Sequence, residues 1–189
     1  QARHQLRALA AVLPLRRAAA FDLDPGRARA FAREMAAELG MEVVAEADVA
    51  AAARGAEVVV TCTTAREFVL GPDDVGPGAF VAGVGVDNEV KRELHPALLA
   101  RARVVTDLRG QCARIGDLHH ALEAGALTLA DVHAELGEVV AGVRPGRMDD
   151  GEITVFDSTG IALQDAAAAA AVYEQAAVVD PPPRSLAFG

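Results

Sequence analysis

Apolar positions in this chain recur at helical spacing in some stretches and in short unbroken runs in others, and the two patterns alternate. Residues 1–11 read as a helix, and 17–22 as a strand that ends in an acid, Asp22. Asp24-Pro25-Gly26 makes a turn and caps the next helix. Pro25 suits its first position, where a backbone N–H would go unpaired anyway. Ala28, Ala30, Phe31, Met35 and Leu39 give residues 27–39 one apolar face, and Gly40 stops them. A short strand over 42–45 and a short helix over 48–54, ended by Gly55, follow. Residues 57–63, centred on Val58-Val59-Val60, form a continuous apolar run that suits a parallel strand buried on both faces.

After Pro77-Gly78 the pattern predicts a strand over 79–85 leading to Asp87, a helix over 95–102 and a strand over 103–106. Helices are expected over 117–124 and 129–141, a polar surface crossing over 144–151, a last strand over 152–156 and a long helix over 159–177. Asp180-Pro181-Pro182-Pro183 cannot continue a helix and reads as a disordered tail. No internal repeat is visible.

Strands alternating with helices at this pitch predict an α/β fold with a doubly wound parallel sheet of the Rossmann type, in the strand order 3-2-1-4-5-6. In such a unit a strand and a Gly-rich turn come first, and the acid that holds a ribose follows by about 20 residues. Asp22 stands in that acid's place if the glycines lie just before Gln1. The expectation is therefore a sheet lacking its first strand and Gly-rich loop in this chain, with strands two and four deprived of their common neighbour. Each unmet buried backbone group costs about 1–3 kcal/mol, against a domain stability of about 5–15 kcal/mol. Residues 1–189 alone are expected to be unfolded or aggregated.

Composition narrows the function. The 189 residues are 52% hydrophobic with a mean hydropathy of +0.22, enough for a core, although only 4% are aromatic. Eighteen basic and 27 acidic residues give a net charge of −9, so the clustered cations that neutralise phosphates are missing and nucleic acid is not an expected partner. No apolar run is long enough to span a membrane, and the alanine tract 166–171 is flanked by Gln164, Asp165, Glu174 and Gln175. Cys62 and Cys112 lack metal-ligand spacing and read as ordinary thiols in a reducing, cytoplasmic setting.

Ligands of open α/β sheets bind at the carboxyl ends of the strands. Polar groups stand there at Asp22, Thr63-Thr64, Asp87 and Asp157-Ser158-Thr159-Gly160. Asp24 reads as a helix cap. Asp22, following a buried strand, reads as a ribose ligand that favours NAD over NADP, because an acid accepts from the 2′-hydroxyl and repels a 2′-phosphate. Thr63 is equally a strand former and a hydroxyl lining a nicotinamide pocket. Glycine within a strand marks close approach of a ligand or another backbone, so Gly83-Val84-Gly85 aims Asp87 at whatever lies beyond. Lys91 either pairs with Asp87 or positions cofactor or substrate. His95 reads as a helix start, His119 and His120 as a solvated helix face, and His133 as a helical residue without partners; no metal is assigned.

Three segments carry a more specific signal: residues 60–67 (VTCTTARE), 83–94 (GVGVDNEVKREL) and 157–165 (DSTGIALQD). Together they resemble the ornithine cyclodeaminase/mu-crystallin family, and Gln1-Ala2-Arg3-His4-Gln5 is similar to the start of that family's helix after its glycine loop. The resemblance runs to about Gln175. It implies a Rossmann domain over 1–158, a helix over 159–178 leading back toward a substrate-binding and dimerisation domain, and a tail over 179–189. It also implies that this chain lacks the upstream domain with the residues that hold the substrate.

The resemblance assigns Gln1 and Arg3 to the pyrophosphate loop and Asp22 to the adenosine ribose. Thr63, Val84, Gly85 and Lys91 line the cofactor, and Ser158 lies near the nicotinamide. Asp87 is the acid/base carboxylate and Thr159 a substrate contact. The cofactor implied is NAD, with NADP left open, and the substrate a small amino or imino acid in a homodimeric parent enzyme. The implied chemistry is hydride removal from an α-carbon, imine formation and ammonia loss. The alternatives are a ketimine reductase, a protein that binds a nicotinamide cofactor and a small ligand, or a fragment without function.

Overall fold

The structure, a computed structural model, describes residues 1–178; the expected proline-rich tail lies outside the described residues. Two compact units divide the chain, Gln1–Thr159 and the segment from Gly160 onward. The first begins with α1 (Ala2–Val12), β1 (Arg17–Ala20), α2 (Pro25–Leu39), β2 (Glu42–Ala45), α3 (Val49–Ala53) and β3 (Val58–Thr61). It continues with β4 (Phe80–Gly83), α4 (Pro96–Ala100), β5 (Arg103–Thr106), α5 (Arg109–Ile115), α6 (Asp117–Glu123), β6 (Ala134–Glu135), α7 (Leu136–Val140) and β7 (Thr154–Asp157). The second unit holds α8 (Ala162–Ala177), and no helix among the described residues is long and apolar enough to cross a membrane.

Local chemistry accounts for the ends of these elements. Asp24 caps α2 by accepting from the N–H groups of Gly26 and Arg27, Pro25 opens the helix, and Gly40 closes it at φ +65°. His95 opens α4, its Nδ1 accepting from the Ala97 N–H. Gly78 turns the chain into β4 at φ +78°, where an added Cβ would run into the Asp150 carbonyl oxygen.

All strand pairs are parallel, in two sheets: β1-β2, and β3-β4-β7-β5-β6. The break falls between β1 and β3, where the sequence pattern puts unpaired backbone. Val58, Val59 and Val60 are accordingly only partly buried, not enclosed on both faces. The strand order departs from expectation on the other side of β4. β7, last in the chain, lies between β4 and β5, with Val155 wholly buried and neighbours on both edges. A short strand centred on Val155-Phe156 suits a sheet interior, but its sequence does not name its neighbours.

The main core packs Val81, Val104 and Val155 of the sheet against Leu98 and Leu99 of α4 and Leu118 and Ala121 of α6. A smaller core joins Leu6 of α1 to Ala32 and Met35 of α2 and Val43 of β2. The expected helix over 129–141 is replaced by a 3-10 turn at Leu129–Asp131, the short strand β6 and α7. The reason lies in tertiary pairing: Ala134 and Glu135 extend the sheet beside Val105 and Thr106, which overrides local helix propensity. Helix α5 was not expected from the sequence.

Candidate functional site

The carboxyl ends of β3, β4 and β7 bring most of the predicted residues to one edge of the larger sheet. Beyond β4, Val84 is held through its N–H to the Thr61 carbonyl, and Ser158, beyond β7, through its N–H to the Gly83 carbonyl. Gln1 reaches the same edge, its Nε2 lying 3.4 Å from the Val84 oxygen to which it donates. Backbone approach is close here: a Cβ on Gly85 would lie 2.6 Å from the Thr63 nitrogen and 2.5 Å from Glu93 Oε2. Gly83 is likewise confined, by Leu94 Cδ1 at 3.0 Å and Asp117 Oδ2 at 3.1 Å. The crowding that requires these glycines comes from the protein's own atoms.

Asp87 stands on the exposed loop beyond Gly85. Lys91 Nζ lies 2.8 Å from Asp87 Oδ1 and 3.4 Å from the Gly85 oxygen, and Asn88 Nδ2 donates to Asp87 Oδ1 at 2.8 Å. Hydrogen bonding from Lys91 holds the Asp87 carboxyl below its ordinary range, so it is ionised at neutral pH. Asn88 Oδ1 shapes the turn by accepting from the N–H groups of Val90 and Lys91. Of the two readings of Lys91, the pairing with Asp87 is the one observed.

Beneath these residues lies a set of buried acids that sequence reasoning missed. Glu93, wholly buried, accepts from the Thr63 N–H through Oε1 and from the Gly85 N–H through Oε2. Asp117 Oδ1 accepts from the N–H groups of Glu93 and Leu94, and Asp157 accepts from those of Asp117 and Leu118. Asp107 Oδ2 accepts from the Ser158 hydroxyl at 2.9 Å, and Gln111 Nε2 donates to the Thr159 hydroxyl at 2.8 Å. Burial pushes the Asp117 carboxyl up to about 8, reinforced by the neighbouring charge of Asp157, and raises Asp157 as well. Glu93 lies within the 83–94 segment, but nothing local in the sequence pairs it with Asp117. They become neighbours only when the loop after β4 meets the start of α6.

Other predicted residues sit apart from this edge. Arg3 is clasped by Glu34 of α2, with Nε and Nη2 each 2.7 Å from a carboxylate oxygen. Asp22 is exposed and accepts from the Asp24 N–H at 2.8 Å, so it shapes the turn after β1. His120 corrects the solvated reading: it is buried, its Nε2 2.7 Å from the Lys91 oxygen, and it helps seat the Asp87 loop. His133 is not helical. It precedes β6 and contacts Arg103 Nη1 and the Pro145 oxygen. His119, His120 and Glu123 place ligand atoms within 4.8 Å of one another, but His119 and His120 also contact the Ala113 and Lys91 carbonyls. Cys112 is a buried, inert thiol, raised by burial and donating to Asp107. A shallow cleft of about 700 Å³ includes Arg101, Arg103 and His133 and opens at the amino-terminal side of the sheet, away from the strand ends that bind ligands in parallel sheets.

Residues 1–179 match the model of the ornithine cyclodeaminase/mu-crystallin family. This chain belongs to that family. It is 37% identical to the alanine dehydrogenase of Archaeoglobus fulgidus over 182 residues, covering 93% of this chain and 54% of that protein. A solved structure of Thermococcus litoralis Δ1-pyrroline-2-carboxylate reductase, in complex with NADH and L-proline, has a TM-score of 0.90. It is 33% identical, over 93% of this chain and 55% of that one. The iminosuccinate reductase of Paracoccus denitrificans, in complex with NAD⁺, has a TM-score of 0.86 at 38% identity, over 92% of this chain and 53% of that one. The fold is thus the cofactor-domain fold of the family, and the chain spans about half the length of these relatives.

Proposed function

We propose that this chain is the nicotinamide-binding half of an enzyme acting on a small amino or imino acid. The observation that carries the reading is the convergence of Thr63, Val84, Gly85, Asp87, Ser158 and Thr159 at one edge of a parallel sheet, in a family with solved members in complex with NAD⁺ or NADH. The residues fit such a group. Glu93 holds the Thr63 and Gly85 backbones together at the strand ends, the hydroxyls of Ser158 and Thr159 are fixed from below, and a carboxylate stands at the rim. When bound, the cofactor supplies an acceptor or donor of hydride at the substrate α-carbon.

Gln1 and Arg3 lie on the pyrophosphate side and Asp22 on the ribose, which favours NAD over NADP. Thr63, Val84, Gly85 and Lys91 line the cofactor, Ser158 meets the nicotinamide, and Thr159 meets the substrate. Asp87, ionised beside Lys91, takes a proton from the substrate amine or from water and returns it. The same carboxylate serves an ornithine-cyclodeaminase-type reaction, in which a side-chain amine closes on an imine and ammonia leaves, and a reductase-type reaction on a ketimine. The reading carries with it a homodimeric, cytoplasmic parent protein. A screen of ornithine, lysine, alanine and cyclic imines with NAD(H) and NADP(H) tests it, using the whole open reading frame that encodes this chain. Turnover of at least one with NAD(H) is expected; absence of turnover and of NADH binding rejects the reading.

A further inference from the structure

The polar residues at the sheet edge do not hold themselves in place. Thr63 follows β3 and Gly85 follows β4, and their N–H groups both point at the Glu93 carboxylate, at 2.5 Å and 2.9 Å. Glu93 is fully buried and forms no ion pair with any described residue. Its own backbone N–H is held by Asp117, whose N–H is held in turn by Asp157 at the end of β7. Three acids in series therefore tie the ends of β3, β4 and β7 to one another. Burying acids without countercharge is costly, and a fold that needed only packing would fill this space with apolar groups.

We propose that Glu93 is a positioning residue for the nicotinamide end of the cofactor site. It fixes the separation and orientation of the Thr63 and Gly85 backbones and acts through them without touching cofactor or substrate. The proposal rests on the reading of this edge as a nicotinamide site. Two carboxylate oxygens are needed because two N–H groups converge. Glutamine keeps one acceptor and sets an NH₂ group against the other N–H, so one of the two loops must move away.

The test is Glu93→Gln in the whole open reading frame, with NADH and ADP-ribose titrated by calorimetry. ADP-ribose carries the adenosine and pyrophosphate without the nicotinamide. NADH affinity is expected to fall about 10- to 100-fold, as for loss of a partner to a buried N–H. ADP-ribose affinity is expected to stay within about threefold. Equal losses for both ligands, or no loss for either, in a variant that melts cooperatively would overturn the proposal. Should the variant not fold, amide exchange in the wild-type protein decides. The Thr63 and Gly85 amides are expected to be protected before any cofactor is added, and free exchange there overturns the proposal. A wild-type protein that binds neither ligand rejects the nicotinamide reading instead, which the exchange measurement separates from the role of Glu93.

Discussion

Replacing Asp117 by Asn should change how stability depends on pH. Asp117 faces Asp157 and Glu93, and Asp157 faces Asp107 and the Cys112 thiol, so acids cluster in this pocket. Burial raises Asp117 to about 8 and raises Asp157 too, so at pH 7 the folded protein holds about one proton that the unfolded chain has released. That contribution is fully present below the ordinary carboxyl range, near pH 4, and is lost as pH rises toward about 8. The slope is at most about 1.4 kcal/mol per pH unit for one proton, or roughly 3 °C in melting temperature for a domain of this size. Glu34, Glu38 and Asp87 are shifted downward by their cationic partners, so their effects fall in more acidic solution than that of the buried pair. Thermal and urea melts of the whole gene product at pH 5, 6, 7 and 8 measure the slope. The wild type should lose stability across this window. Asp117→Asn, which cannot take up the proton, should lose about half as much or less. Parallel curves, or a wild type that gains stability with rising pH, would refute the shared proton.

Three further outcomes follow from the geometry. Gly85→Ala places a Cβ 2.5 Å from Glu93 Oε2 and 2.6 Å from the Thr63 nitrogen, so it should destabilise by about 1–3 kcal/mol, measurable by urea melts. Lys91→Met removes the cation that keeps the Asp87 carboxyl low, so the acidic limb of the activity profile should move to higher pH, as read from kcat/KM against pH. Residues 1–189 expressed alone present an edge on β1 and another on β3 and should associate, with sedimentation giving species larger than the 19.5 kDa chain.

Much of the fold was legible because local signals and global structure agree. Pro25 after Asp24, the stop at Gly40 and the strands 42–45 and 103–106 are all written in short stretches of sequence. The place of β7 was not legible, since a short strand pattern declares a strand without naming its neighbours. The periodicity over 129–141 suggests helix because two residues pairing with a distant strand leave little trace in it. At the site, the strand-end residues were visible because their positions in a parallel sheet are informative. Glu93 and Asp117 were not, because 24 residues separate a buried acid from the N–H it accepts, and an acid normally signals a surface. His120 shows the same limit: its helix face looks polar, yet Phe68 and the Lys91 carbonyl cover it.

Nicotinamide binding at this sheet edge and proton transfer by Asp87, both as proposed, are separated most directly by one variant. The direct measurement is NADH titration and turnover, in the same preparation, of the whole gene product and its Asp87→Asn variant. NADH binding should persist within about threefold, since Asp87 stands at the exposed rim, while turnover should fall by about 10²-fold or more, as expected for loss of a general acid/base. A variant that keeps its turnover, or a wild type that does not bind NADH, would contradict these roles.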